Sequence, residues 1–144
     1  MLRRMVLLGG MLVVAVIVLS GVALAEDIRG TFGPDVLEGT PQMDRIYGLG
    51  AADTISGKAG NDDCYGGSGT DEISCEGGDD RIDGGFGFDE LLGGGGNDTI
   101  LAADGQKDQV DCGAGDNDTA YVDEEDDVDP NCEEVFTAVR ETTV

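Results

Sequence analysis

The 144-residue chain contains no histidine and no tryptophan, and only four phenylalanines and three tyrosines. Without histidine it lacks the side chain that most readily moves protons near neutral pH and the commonest imidazole ligand for zinc. So few aromatics leave little bulk for a hydrophobic core. Basic residues are scarce too: eight lysines and arginines stand against 31 aspartates and glutamates. Beyond the N-terminus only Arg29, Arg45, Lys58, Arg81, Lys107 and Arg140 remain, scattered along the chain. A polyanion needs a basic footprint, so nucleic acid is excluded as a partner.

What is present begins with an address. Met1-Leu2-Arg3-Arg4 precedes an apolar stretch from Met5 to Ala25 that closes on Ala23-Leu24-Ala25 and switches to Glu26-Asp27. Two arginines, a long apolar run and small residues at the end read as a secretory signal over residues 1–25, which predicts a secreted protein. An uncleaved anchor is the alternative, because the stretch is long enough to span a bilayer. Contact with a membrane is expected through this segment alone. Arg3-Arg4 also fits the start of a twin-arginine export signal. The formal charge is −23, and residues 1–25 contribute two arginines and no acid, so the remainder carries −25. A compact body of that charge repels itself and must either stay unfolded or recruit cations. Cys64, Cys75, Cys112 and Cys132 form an even set without C-x-x-C spacing. In an exported chain this suggests disulfides over zinc. Of the three possible pairings, proximity favours Cys64 with Cys75 and Cys112 with Cys132, with a free buried thiol at Cys64 as the alternative.

High acidity, 25 glycines and few aromatics ordinarily mean disorder. Periodicity argues otherwise. Written in rows of nine, residues 30–101 read GTFGPDVLE, GTPQMDRIY, GLGAADTIS, GKAGNDDCY, GGSGTDEIS, CEGGDDRID, GGFGFDELL and GGGGNDTIL. Position six is aspartate in all eight rows: Asp35, Asp44, Asp53, Asp62, Asp71, Asp80, Asp89 and Asp98. Position eight is apolar in all eight: Leu37, Ile46, Ile55, Cys64, Ile73, Ile82, Leu91 and Ile100. Position one is glycine in seven rows, with Cys75 the exception, and position four in six, with Gln42 and Ala51 the exceptions. Glycines at one, two and four are expected to permit positive φ. Positions seven to nine suit a brief strand, with eight facing a core and seven facing water. No row can bury its single aliphatic alone, so the rows must stack.

This pattern resembles the hemolysin-type calcium-binding repeat, the nonapeptide of RTX proteins. The resemblance covers residues 30–101 and reaches into 102–128 with one-residue slips. It implies an all-β fold, a right-handed parallel β-roll (a β-solenoid) with two repeats per coil. It also implies Ca2+ between turns eighteen residues apart. The implied ligands are the position-six carboxylates Asp35, Asp53, Asp71 and Asp89 on one edge and Asp44, Asp62, Asp80 and Asp98 on the other. Carbonyls of the glycine turns join them, around Gly67, Gly69, Gly78, Gly85, Gly87, Gly94 and Gly96. The gaps between these turns would hold at most about six ions, and calcium suits them because it accepts six to eight oxygens at variable angles. Pro34, Pro41 and Gln42 interrupt the first two rows. Gln109–Gly115 and Cys132-Glu133-Glu134 resemble the closing segment of small bacterial members.

The expected organisation is a signal peptide over 1–25 and a β-roll over 26–101. Degenerate repeats and a disulfide-clamped cap follow over 102–136, then an unstructured tail over 137–144. An enzyme is not expected. Ser68 lies within a repeat turn, and eight equivalent aspartates suit a repeated ligand better than a catalytic pair. A calcium-dependent adhesion module with a cell-surface, glycan or protein partner is one alternative, and a disordered acidic secreted protein is another. Ice binding wants outward threonine ranks, and position seven offers only Thr54 and Thr99. Asp123, Glu125, Asp127, Asp129 and Glu134 nearly match an EF-hand loop. Val128 stands where that loop needs glycine, so the stretch reads as a solvated acidic loop.

Overall fold

Position eight is the inside of the molecule. In the computed structural model, which describes residues 12–13 and 25–139, the eight residues from Leu37 to Ile100 at this position are each 0 or 1% exposed. The described residues form fourteen strands: β1 (Leu12–Val13), β2 (Asp27–Arg29), β3 (Asp35–Glu38), β4 (Arg45–Tyr47), β5 (Thr54–Ser56), β6 (Asp63–Gly69), β7 (Glu72–Gly77), β8 (Arg81–Gly87), β9 (Glu90–Gly95), β10 (Thr99–Leu101), β11 (Gln109–Ala114), β12 (Thr119–Asp123), β13 (Asp127–Val128) and β14 (Glu134–Ala138). No helix occurs among the described residues. Odd-numbered strands make one seven-stranded sheet and even-numbered strands the other. Successive rows therefore go to opposite sheets, and two rows complete one coil of a parallel β-roll.

Register follows directly from the repeat. Thr54 pairs with Glu72 and Glu72 with Glu90, while Arg45 pairs with Asp63 and Asp63 with Arg81, always eighteen residues on. Beyond Leu101 the steps change, Glu90 pairing with Gln109 and Thr99 with Thr119. The extra residues go into the turns, because Val110 and Ala120 keep the buried position-eight place. Each core column is a stack of like aliphatics, and the two columns meet between the sheets.

The strands outrun the expected positions seven to nine. β6 and β8 continue through Gly69 and Gly87 because stacked turns keep pairing, Gly67 with Gly85 and Gly69 with Gly87. Alternation along these extended stretches also turns position one inward. Cys75, at position one, is consequently 0% exposed and bonded to Cys64, which faces it from the other sheet. Cys112, also at a position-one place, is bonded to Cys132. Peptide mapping under non-reducing conditions is expected to recover these two links and no free thiol. Replacing either cysteine of one pair should lower stability by about 2–4 kcal/mol. A Cys64–Cys112 link would overturn the stacking of the coils, which sets Cys112 two strands beyond Cys75 in the odd-numbered sheet.

The C-terminal end differs from expectation. The expected organisation is a disulfide-clamped cap over 102–136 followed by an unstructured tail. Instead the chain after Cys132 adds β14 to the even sheet beside β12, with all five residues exposed. β14 runs through Thr137 and Ala138, into the stretch expected to be an unstructured tail. At the other end, the expected signal segment lies outside the described residues except for Ala25 and Leu12–Val13, the latter pairing in parallel with Asp35 and Val36. Among the described residues no helix is long and apolar enough to cross a membrane.

Candidate metal centre

Each position-six aspartate closes its turn with the side chain directed inward, and all eight are 1–3% exposed. One carboxylate oxygen is spoken for. The backbone N–H of Asp35 donates to Asp53 Oδ1 at 2.8 Å, that of Asp53 to Asp71 Oδ1 at 2.8 Å and that of Asp71 to Asp89 Oδ1 at 2.9 Å. The other edge repeats this from Asp44 to Asp62 (2.7 Å), Asp62 to Asp80 (2.7 Å) and Asp80 to Asp98 (2.9 Å). A ladder of carboxylates thus runs up each edge, every rung satisfying a main-chain donor that the turn would otherwise strand.

The ladders extend past the regular rows. Asp89 N–H donates to Asp108 Oδ1 at 2.8 Å and Asp98 N–H to Asp118 Oδ1 at 2.7 Å. Asp108 N–H then donates to Asp126 Oδ1 at 2.9 Å, and Asp118 N–H to Glu133 Oε2 at 2.9 Å. Asp108 and Asp118 are buried equivalents of the eight aspartates. The nine-residue register misses them because each follows its predecessor by ten residues. The usable signal was Val110 and Ala120, each two residues after its aspartate. The near-EF-hand stretch includes the top of this ladder, since Asp123 is 6% exposed and its N–H donates to Asp126 Oδ2 at 2.8 Å.

The second oxygen is the informative one. Oδ2 of Asp53, Asp62, Asp71, Asp80, Asp89, Asp98, Asp108 and Asp118 is shut off from solvent and accepts no hydrogen bond. Asp35 and Asp44 are the exceptions. Thr31 and Thr40 occupy position two of those rows, and each donates its backbone N–H and its hydroxyl to Oδ2 of its own aspartate. The proline-interrupted rows have closed their carboxylates internally.

Glycine has two different jobs around these oxygens. At position one the expected positive φ is absent, and the need is for space. A Cβ on Gly66 would lie 2.5 Å from Asp71 Oδ2 and 2.5 Å from the Gly84 carbonyl oxygen of the next coil. At positions two and four of the six rows from Gly48 on φ is positive, as in Gly67 (110°) and Gly69 (147°), and Leu49, Ala51, Lys58 and Glu76 adopt the same conformation there without being glycine. That conformation sends carbonyls along the roll axis. The Leu49 oxygen faces Gly67, the Ala51 oxygen Gly69, and the Gly69 oxygen Gly87. It is at position one that a main-chain oxygen of the next coil comes near an orphaned carboxylate oxygen, as the Gly84 oxygen does near Asp71 Oδ2.

Burial sets the electrostatics. It pushes Asp53, Asp62, Asp89 and Asp98 up to about 6 and Asp80 and Asp108 up to about 7, against the main-chain hydrogen bond that pulls each down. Neighbouring carboxylates in the same ladder add to the rise. Asp71 and Asp118 are raised for the same leading reason. Ionised and unpaired, such oxygens cost free energy that only a cation or a proton removes. A cation here would take mainly main-chain oxygens, because no three acidic or cysteine side chains converge among the described residues. Calcium, a hard ion that accepts carbonyls and carboxylates at variable angles, fits that donor set.

Comparison with known proteins points the same way. Residues 38–73 and 76–106 match the family model of the RTX calcium-binding nonapeptide repeat, in four copies. No curated protein and no solved structure matches the chain. Residues 38–73 and 76–106 thus carry copies of the RTX calcium-binding nonapeptide repeat.

Proposed function

We propose that this is a secreted calcium-binding module whose roll folds around Ca2+ and performs no catalysis itself. The observation that carries the reading is the set of eight buried carboxylate oxygens without a partner, four on each edge. Asp53, Asp71, Asp89 and Asp108 would supply one edge and Asp62, Asp80, Asp98 and Asp118 the other. Main-chain oxygens of the turns at Gly67, Gly69, Gly78, Gly85, Gly87, Gly94 and Gly96 would complete the shells. The bound ions supply charge neutralisation inside the turns, and the family's role as a calcium-binding repeat supports that assignment. Secretion rests on the leader-like residues 1–25, and an extracellular setting also suits the two disulfides.

The sites are unequal in this reading. Asp71→Ala or Asp89→Ala removes an orphaned oxygen from the middle of a ladder. Asp35→Ala removes a carboxylate already satisfied by Thr31. Titration calorimetry with Ca2+ should show fewer or at least tenfold weaker sites (about 1.4 kcal/mol or more) for the first two variants. Asp35→Ala should stay close to the parent. Equal losses in all three, or the reverse order, would remove Oδ2 from the ligand set.

A further inference from the structure

We propose that the two ends of the roll are complementary and join copies of this chain head to tail through the even sheet. Among the described residues no strand lies beyond β2 at one end of that sheet or beyond β14 at the other. Solenoids that stay single carry polar caps on their terminal repeats. β14 is instead open, with Val135 44% and Phe136 51% exposed and Val139 following at 73%.

The ends match residue by residue. Along the even sheet the inward column runs Ile28, Ile46, Cys64, Ile82, Ile100, Ala120, Val135, each paired with the next. The outward column, one residue further along each strand, runs Arg29, Tyr47, Tyr65, Asp83, Leu101, Tyr121, Phe136 through the same pairings. Arg29 already sits over the Tyr47 ring at 4.7 Å, Tyr47 stacks on Tyr65 at 5.0 Å and Tyr121 on Phe136 at 5.2 Å. One end of the column thus presents a guanidinium and the other an aromatic face, a cation–π pair waiting for a second copy. Adding a second copy's β2 to β14 in the sheet's own parallel register sets Ile28 on Val135 and Arg29 on Phe136.

The carboxylate ladder on that edge also closes across the junction. Glu26 N–H donates to Asp44 Oδ1 at 2.7 Å, which makes Glu26 the residue one coil before Asp44. Glu133 accepts from Asp118 and is the residue one coil after it. In the joined register the Glu133 N–H meets the carboxylate of the second copy's Glu26, the next rung. The remaining pair, Glu134 with Asp27, sets like charges opposite each other, so association should strengthen with salt. The contact uses different surfaces on the two copies and generates an open series, not a closed dimer.

Sedimentation velocity tests this on protein isolated from cells expressing the full chain, folded in saturating calcium, with its N-terminus read by mass spectrometry. The parent should give species that lengthen steadily with concentration. Val135→Lys with Phe136→Lys blocks one end at exposed positions, and Ile28→Lys, which faces those substitutions with like charge in a mixture, blocks the other. Each variant alone should remain a monomer with the parent's circular dichroism, and an equimolar mixture should yield a 1:1 dimer and nothing larger. Arg29→Ala, which only removes the guanidinium, should weaken association several-fold. A parent that stays monomeric, a closed dimer, or a mixture that stays monomeric would overturn the proposal. Circular dichroism against calcium reports separately on the calcium reading.

Discussion

In chelator near neutral pH the chain is expected to give the far-UV circular dichroism of a coil, and millimolar calcium should restore a strand-rich spectrum and a smaller hydrodynamic radius. The reasoning starts from the core. Each row buries one side chain at position eight, an aliphatic in every row but that of Cys64, and the two columns have no aromatic in them. Against that stands the entropy of ordering nine residues per row, several of them glycine. Eight unpaired buried carboxylate oxygens add to the cost. The three ion pairs among the described residues are exposed and contribute little. A ligand that binds the fold and not the coil reverses this. A site filled a hundredfold above its Kd contributes about 2.7 kcal/mol, and several sites act together. Magnesium should not substitute, because it holds its water and demands a stricter octahedron. A spectrum and radius indifferent to both ions would sink the ion-driven fold.

The repeat made much of this legible in advance. Aspartate at six and an aliphatic at eight point to the strand and its inward face, because a two-residue side-chain alternation leaves a strand little choice; the eighteen-residue coil was implied only by the resemblance to the RTX repeat. What stayed hidden had three physical sources. Position one reads as a turn glycine, yet it lies in extended backbone facing inward, and its constraint is the neighbouring carboxylate oxygen; this also explains how Cys75 could bond across the core. Asp108 and Asp118 were masked because a turn absorbs an extra residue without disturbing the ladder it carries. Thr31 and Thr40 look like ordinary turn residues, and only the positions of their donors show that Asp35 and Asp44 are closed off.

Protons should partly replace calcium, and this is the second large effect expected. Burial raises Asp53, Asp62, Asp89 and Asp98 to about 6 and Asp80 and Asp108 to about 7, from 3.8. The folded chain therefore holds protons that the unfolded chain has released, through the window from about 4 to about 7. A raised carboxylate favours the fold below its unfolded value and loses that contribution as pH rises through its folded value. Without calcium, the strand-rich spectrum should accordingly appear as pH falls from 7.5 to about 5, as the ladder oxygens become hydroxyls and the self-repulsion of the acidic body relaxes. Calcium must then displace those protons. Its half-saturation point should move upward on acidification, by up to about tenfold per pH unit for each proton displaced below the folded value. Circular dichroism against pH in chelator, with calcium titrations at pH 7.5 and 5.5, measures both. A metal-free chain that remains a coil at pH 5, or a calcium affinity unchanged between the two values, would mean that the buried carboxylates are not what holds the roll open at neutral pH.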